Sequence, residues 1–225
     1  MNYGFLSETK LFSDIDGRDI ESMLSCLNAR EKHYKKDEVI YSAGETVLSI
    51  GLVESGSVNI VLNFYCGSSN IFSHIGAGDI FAATFAAIPG KELICDVVAA
   101  EDSLILFLDM TRLMTACQNS CGFHQKLIRN MLRIQANNNI NLSTRMIHIA
   151  PKSIRDRLLS YLSRQALENG SDSFRIPFSR QQLADYLGVD RSALSKELGK
   201  MRNEGIISCH KNDFTLICVP EYDRA

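Results

Sequence analysis

The stretch from Phe178 to Gly205, FSRQQLADYLGVDRSALSKELGKMRNEG, constrains the fold more than any other part of the 225-residue chain. Its punctuation spells two short helices joined by a tight turn. Ser179 suits a helix start, because its hydroxyl can accept from a backbone N–H left without a partner in the first turn. Gln182, three residues on, completes the capping-box spacing. Leu183, Ala184 and Leu187 then fall on one helical face, and the small Ala184 lets a second helix cross closely. Gly188 ends the helix where the backbone must turn left-handed, which is cheap only for glycine. Val189 plugs the turn, and Asp190 caps the next helix with a charge matched to its positive end.

That second helix is expected over about Arg191 to Asn203, with Leu194, Leu198 and Met201 facing inward. Arg191, Ser192, Ser195 and Lys196 lie elsewhere on its surface, near the end that enters the major groove in helix-turn-helix proteins. Arginine can engage two guanine acceptors at once, and lysine can reach guanine or a phosphate. Arg191 and Lys196 are therefore the candidates for base contact, with Ser192 and Ser195 in support. Ser179 and Arg180 are candidates for phosphate. After Gly205, Ile206-Ile207 and Phe214–Cys218 read as two strands, and the turn His210-Lys211-Asn212-Asp213 offers Lys211 to phosphate as a wing.

These residues resemble the transcription factors related to the cyclic-AMP receptor protein and the fumarate–nitrate regulator, the Crp/Fnr family, and the likeness runs over nearly the whole chain. It is strongest at Arg191-Ser-Ala-Leu-Ser-Lys196, where Arg191 and Lys196 stand at the family's basic positions. Ser192 replaces a glutamate common in the family, so a different DNA sequence preference is expected. Glu197 stands where the motif usually carries an apolar residue, which leaves the rotation of the helix open.

A content of 45% hydrophobic residues supports real cores, and no uninterrupted apolar run approaches a membrane span. The start, MNYGFLSETKLF, lacks the basic and apolar regions of a signal peptide, and the seven cysteines are scattered, so a reducing cytoplasm is expected. The net charge of −2 is unevenly spread: residues 1–150 carry 12 basic and 16 acidic side chains, and residues 151–225 carry 12 and 10. The positive excess thus sits on the end expected to read DNA.

Residues 1–30 read as a short helical entry. From Glu31 to Asp109 short apolar runs alternate with Gly-rich turns, the pattern of a double-sheet roll. Gly44, Gly56 and Gly78 are spaced as in the family's sensor domain. In cyclic-nucleotide-binding members a Gly-Glu pair and a later Arg-Ser pair hold the ligand. The matching positions here are Ala82-Ala83 and Leu93-Ile94. A phosphate buried there would have no counterion, so a cyclic nucleotide is rejected as effector. The apolar set Phe81, Ala83, Thr84, Phe85 and Leu93 remains, with Ala82 and Ile88 beside it, either as plain core or as a site for an apolar molecule or haem. Possible haem ligands are His74 and His124. Cys26, Cys66, Cys95, Cys117, Cys121, Cys209 and Cys218 contain no CxxC pair, so an iron–sulfur cluster or thiol switch is a minor alternative. A cupin-like metalloenzyme would need several histidines on its strands, and His74 is the one expected in the strand region.

Asp109 suits the cap of a helix over Met110–Gln118. From Cys121 to about Ile149 no proline occurs, and a helix of that length spans roughly 40 Å. Cys121, His124, Ile128, Met131, Gln135, Asn138, Leu142 and Arg145 recur by three and four, which predicts the seam of a parallel dimer. The resemblance implies that Asn138 and Asn139 touch an effector. They could equally set coiled-coil register or face water. Pro151 is expected to open the next helix, Lys152–Glu168, with a hinge at Ala150-Pro151.

The expected fold is α+β: an N-terminal double-stranded β-helix (a jelly roll like a cyclic-nucleotide-binding domain) over 1–110, a linker and long dimerisation helix over 111–150, and a C-terminal winged helix-turn-helix over 151–225. The expected function is that of a cytoplasmic homodimeric regulator, not an enzyme. It would read double-stranded DNA at a near-palindromic site under an unknown small-molecule effector. The resemblance adds RNA polymerase as a partner. No cofactor, metal or membrane is expected, with haem or iron–sulfur as the alternatives.

Overall fold

The computed structural model describes residues 2–64, 67, 69–115 and 122–217, and the chain divides into two compact units, Met1–Asn137 and Asn138–Ala225. The first opens with α1 (Tyr3–Glu8) and α2 (Gly17–Cys26), capped by the side chains of Asn2 and Asp16. Eight strands follow: β1 (Arg30–Tyr34), β2 (Val39–Tyr41), β3 (Ser49–Ser55), β4 (Ser57–Asn63), β5 (Ser69–Gly76), β6 (Ile80–Phe81), β7 (Asp96–Ala99) and β8 (Ser103–Asp109). A single-turn helix, α3 (Ala83–Ala86), separates β6 from β7, and α4 (Met110–Met114) follows β8 with Asp109 as its cap.

The strands form two four-stranded antiparallel sheets in the orders β1-β8-β3-β6 and β2-β7-β4-β5, a jelly roll as the sequence predicts. Gly56 makes the β3–β4 turn possible. Its φ is +78°, and a Cβ there would lie 2.3 Å from Ser103 Oγ and 2.6 Å from the Asp102 carbonyl oxygen. Val53, Val58, Phe81, Val97, Ala99 and Ile105 fill one core cluster. Ile20, Met23, Leu106, Leu108, Leu113, Leu127 and Met131 belong to a second.

Two strands lay beyond the hydrophobic pattern. β1 has four exposed residues of five, and β5 has six of eight, so neither alternates apolar with polar. β1 also brings His33 into the strand region beside the expected His74, but no group of three or more metal-ligating side chains occurs among the described residues.

Helix α5 (Gly122–Ile149) has the predicted extent, but its seam differs. His124 and Met131, assigned to a partner-facing stripe, are 6% and 5% exposed and belong to the first unit's own interior. Leu127 joins them, and buried Asn130 donates to the carbonyls of Leu11 and Ser13 at 3.1 and 2.7 Å. Leu142 of the expected seam is open, and the other open apolar residues, Leu132, Ile140, Met146 and Ile147, lie outside that seam, each of the five more than half exposed. A helix with two apolar faces gives two overlapping periodicities, and spacing does not say which one meets its own domain.

The second unit contains α6 (Ile154–Asn169), β9 (Ser173–Arg175), α7 (Arg180–Leu187), α8 (Arg191–Asn203), β10 (Ile207–His210) and β11 (Asp213–Leu216), with sheet order β10-β11-β9. Pro151 does not open α6 as expected. Ser153 caps it, its hydroxyl oxygen accepting from the Asp156 N–H at 3.0 Å. Leu158, Leu162, Leu183, Ala184, Leu187, Leu194, Leu198, Met201 and Phe214 make one core.

Candidate nucleic-acid interface

Local chemistry builds α7 and α8 as the spacing predicts. The Ser179 hydroxyl accepts from Gln182 N at 3.3 Å, and the Gln182 side chain accepts from Ser179 N at 2.8 Å, a complete capping box. Gly188 closes α7 at φ +63°. Asp190 Oδ1 accepts from the backbone N–H groups of Ser192 and Ala193 at 2.8 and 3.0 Å. It also accepts from the Ser192 hydroxyl at 2.5 Å, and these bonds hold the Asp190 carboxyl below the usual range.

Leu194, Leu198 and Met201 are buried, which settles the rotation of α8. Arg191, Ser192, Ser195 and Lys196 are all exposed on its N-terminal half. The structure thus brings together all four residues expected to approach bases, although the Ser192 hydroxyl proton is already committed to Asp190. Lys211 is exposed at the β10–β11 turn with φ +50°. Arg180 is half-buried, its guanidinium 4.8 Å from the centre of the Phe214 ring, and its Nη1 is buried without a hydrogen-bond partner. The ring holds the guanidinium by cation–π attraction.

Glu197 has a physical explanation. Its carboxylate accepts from Arg155 Nε of α6 at 2.7 Å, and the same guanidinium donates to both carboxylate oxygens of Glu204, at 2.7 and 2.9 Å. One arginine therefore grips α8 at two points seven residues apart. Sequence reasoning missed Arg155. It also missed Arg157, whose Nη1 donates to the carbonyls of Leu187 and Gly188 at 3.1 and 3.3 Å.

In the β-roll, Phe81, Ala83 and Leu93 are at most 6% exposed, Phe85 is half-buried and Thr84 is exposed. The Phe81 ring lies across Gly51 and meets Tyr41 and Phe107 edge-on at 6.1 and 6.4 Å. Asn138 and Asn139 are exposed on α5. His74 is exposed and bonds Asn59, whereas His124 is buried. Of the cysteines, Cys66, Cys117, Cys121 and Cys218 lie outside the described residues.

Residues 31–120 match the model of the cyclic nucleotide-binding domain, and residues 156–223 match that of the Crp-like helix-turn-helix domain. The chain belongs to the Crp/Fnr family of transcription regulators. Like the rest of that family it is a DNA-binding regulator and not an enzyme. Among curated relatives, the anaerobic regulatory protein of Pasteurella multocida is 24% identical over 83% of this chain and 68% of its own length. Among solved structures, CprK in complex with OCPA superposes with a TM-score of 0.62 at 14% identity, covering 88% of this chain and 89% of that one. A CooA mutant from Carboxydothermus hydrogenoformans gives 0.55 at 22%, covering 88% and 86%. At these identities the structural likeness to CprK and CooA is one of fold. No helix among the described residues of this Crp/Fnr protein is long and apolar enough to cross a membrane.

Proposed function

We propose that this regulator acts as a cytoplasmic homodimer that reads a near-palindromic site, with Arg191 and Lys196 contacting bases and Ser192 and Ser195 in support. Ser179, Arg180 and Lys211 engage phosphate. The observation that carries the reading is the exposure of Arg191, Ser195 and Lys196 at the N-terminal half of α8 while its opposite face is fully packed. Two such helices, set about one DNA turn apart by a two-fold axis, match a half-site repeat. The open residues Leu132, Ile140 and Ile147 on α5 support a second copy as the occupant of that face.

The effector in this reading is apolar and is not a cyclic nucleotide. Ala82 and Ala83 offer a phosphate no charge, and Phe81, Ala83 and Leu93 present only hydrocarbon behind Thr84 and Phe85. CprK, which shares this fold, is complexed with OCPA. The name of the Pasteurella relative favours a redox signal as the second reading. Selection from a randomised duplex pool, with molar mass measured by light scattering, tests the main proposal. A dimer enriching inverted repeats is expected, and a monomer or an unenriched pool refutes it. An anaerobic visible spectrum separates the effector readings: a colourless protein supports the apolar ligand, and a haem or cluster band supports the second.

A further inference from the structure

The junction between α5 and the reading helices is bolted where flexibility was expected. Arg145 Nε donates to the Tyr186 carbonyl at 3.0 Å, and its Nη2 donates to the Asp185 carbonyl at 2.9 Å. The same guanidinium lies 5.7 Å from the centre of the Tyr186 ring. One turn on, His148 is 3% exposed, its Nδ1 2.9 Å from the Tyr186 hydroxyl and its ring edge-on to Tyr161 at 5.5 Å. Beyond Ala150, Arg157 Nε donates to the Pro151 carbonyl at 2.8 Å, while its Nη1 holds Leu187 and Gly188 as described.

Four consecutive carbonyls, Asp185 through Gly188, are thus taken by two arginines from the preceding helices. They are the last carbonyls of α7 and the turn itself, where a helix leaves acceptors unsatisfied and its dipole is negative. Upstream the contrast is sharp. Every residue from Ala136 to Ser143 is exposed, and the boundary between the compact units falls inside that stretch, at Asn137/Asn138. Four of the eight are asparagine, Asn137, Asn138, Asn139 and Asn141, and asparagine is a weak helix former.

We propose that Arg145 and His148 are positioning residues of the DNA-reading head: the head begins at Asn138, and the chain bends within Ala136–Ser143 rather than at Ala150-Pro151. The proposal rests on the DNA-reading role of α8. Its mechanism is mechanical. An effector that changes the path of α5 reaches α7 through the last turns of that helix, because Arg145 and His148 leave no slack between them. Asn138 and Asn139 then serve as the weak point of the helix, whatever else they touch.

The test uses the full-length protein and the operator recovered by selection. Hydrogen–deuterium exchange along α5 of the unmutated protein comes first. Amides of 145–150 are expected to exchange as slowly as those of α7, and those of 136–143 at least about tenfold faster, even with a partner along one face. Equal rates across 136–150 overturn the proposal. Arg145→Ala is expected to weaken operator binding by about tenfold or more, the scale of one lost charged hydrogen bond. It should release exchange at 145–150 while leaving affinity for random DNA within about twofold, because no phosphate contact is removed. Arg145→Lys keeps the charge and a good helix former but reaches one carbonyl, so it should recover part of the affinity. It also serves if the alanine variant does not fold. Unchanged operator affinity in Arg145→Ala overturns the positioning role. Failure of the unmutated protein to bind any operator would instead defeat the DNA-reading assignment, and the exchange pattern would still decide where the head begins.

Discussion

Replacing Gly51 with alanine tests how full the β-roll interior is. Gly51 sits in β3 opposite Phe81 of β6 and Phe107 of β8. A Cβ built on it would lie 2.1, 2.4 and 2.6 Å from Cζ, Cε1 and Cε2 of the Phe81 ring. Ordinary carbon–carbon contact begins near about 3.5 Å, so the ring must retreat by more than about 1 Å. It has little room, being 3% exposed and flanked by Tyr41 and Phe107. Overpacking of this kind costs about 1–3 kcal/mol. Removing glycine's conformational freedom from a strand returns roughly 0.5–1 kcal/mol. The ranges leave a net loss between about 0 and 2.5 kcal/mol, and a 2.1 Å contact against a flanked ring places Gly51→Ala in the upper half, at about 1–2.5 kcal/mol. In a Phe81→Leu background the ring tip is gone, and most of that loss should vanish. Urea unfolding supplies the measurement, followed by far-ultraviolet circular dichroism and tyrosine fluorescence, since the chain has no tryptophan. A neutral Gly51→Ala, or one that costs as much beside Phe81→Leu as alone, would show that the ring does not fill this space. The packing of Phe81 across Gly51 would then be wrong.

Arg191→Ala should lose about 1–3 kcal/mol on the selected operator and relax preference at one base pair; equal weakening on operator and random duplex would refute base reading. Burial, then repulsion by Glu31 and a hydrogen bond to it, push the Glu54 carboxyl up from 4.5 to about 7. The folded state therefore holds this proton more tightly, so stability from Glu54 is complete below pH 4.5 and is lost as pH rises to about 7. Glu54→Gln should flatten the melting temperature of the first unit across that window, and an unchanged slope would count against it. Burial pushes the His148 imidazole down, so its contribution is present above the ordinary histidine pKa of 6.5 and is lost as pH falls. Acidification below that value should therefore weaken operator binding in the unmutated protein more than in His148→Gln, and equal pH profiles would refute this.

The reading helices were legible because local rules fix them. Ser179, Gln182, Gly188 and Asp190 act within a few residues of themselves, and α8 begins and ends where its cap and buried stripe require. The jelly roll was legible as a pattern of turns, but β1 escaped because Arg30, Glu31, Lys32 and His33 face water and carry no apolar alternation. The expected α5 seam failed where a tertiary choice intervened, since His124 and Met131 are claimed by their own domain. Arg145 and Arg157 left no trace in the sequence for a different reason. Apart from Pro151, six residues from Arg157, their acceptors are backbone carbonyls 30 to 41 residues away, and a carbonyl has no side-chain signature.

Glu197 shows how a departure from a motif can be absorbed. A carboxylate on the flank of the α8 stripe is 16% exposed and would be costly alone. Arg155 supplies the counter-charge, and Lys200 adds a second cation at 3.6 Å from Glu197 Oε2. Because Arg155 also spans to Glu204, the pairing resists rotation of α8 about its axis, which an apolar contact at one point would not do. In the proposed reading, rotation is the coordinate that matters: consecutive residues on a helix differ by about 100°, so a small roll would move Arg191 and Lys196 off the base edges together. The fixed rotation, the Asp190–Ser192 bond at the helix start and the arginine-held carbonyls of α7 all act within the same compact unit. The reading surface is thereby specified by polar contacts at its margins as well as by its apolar core.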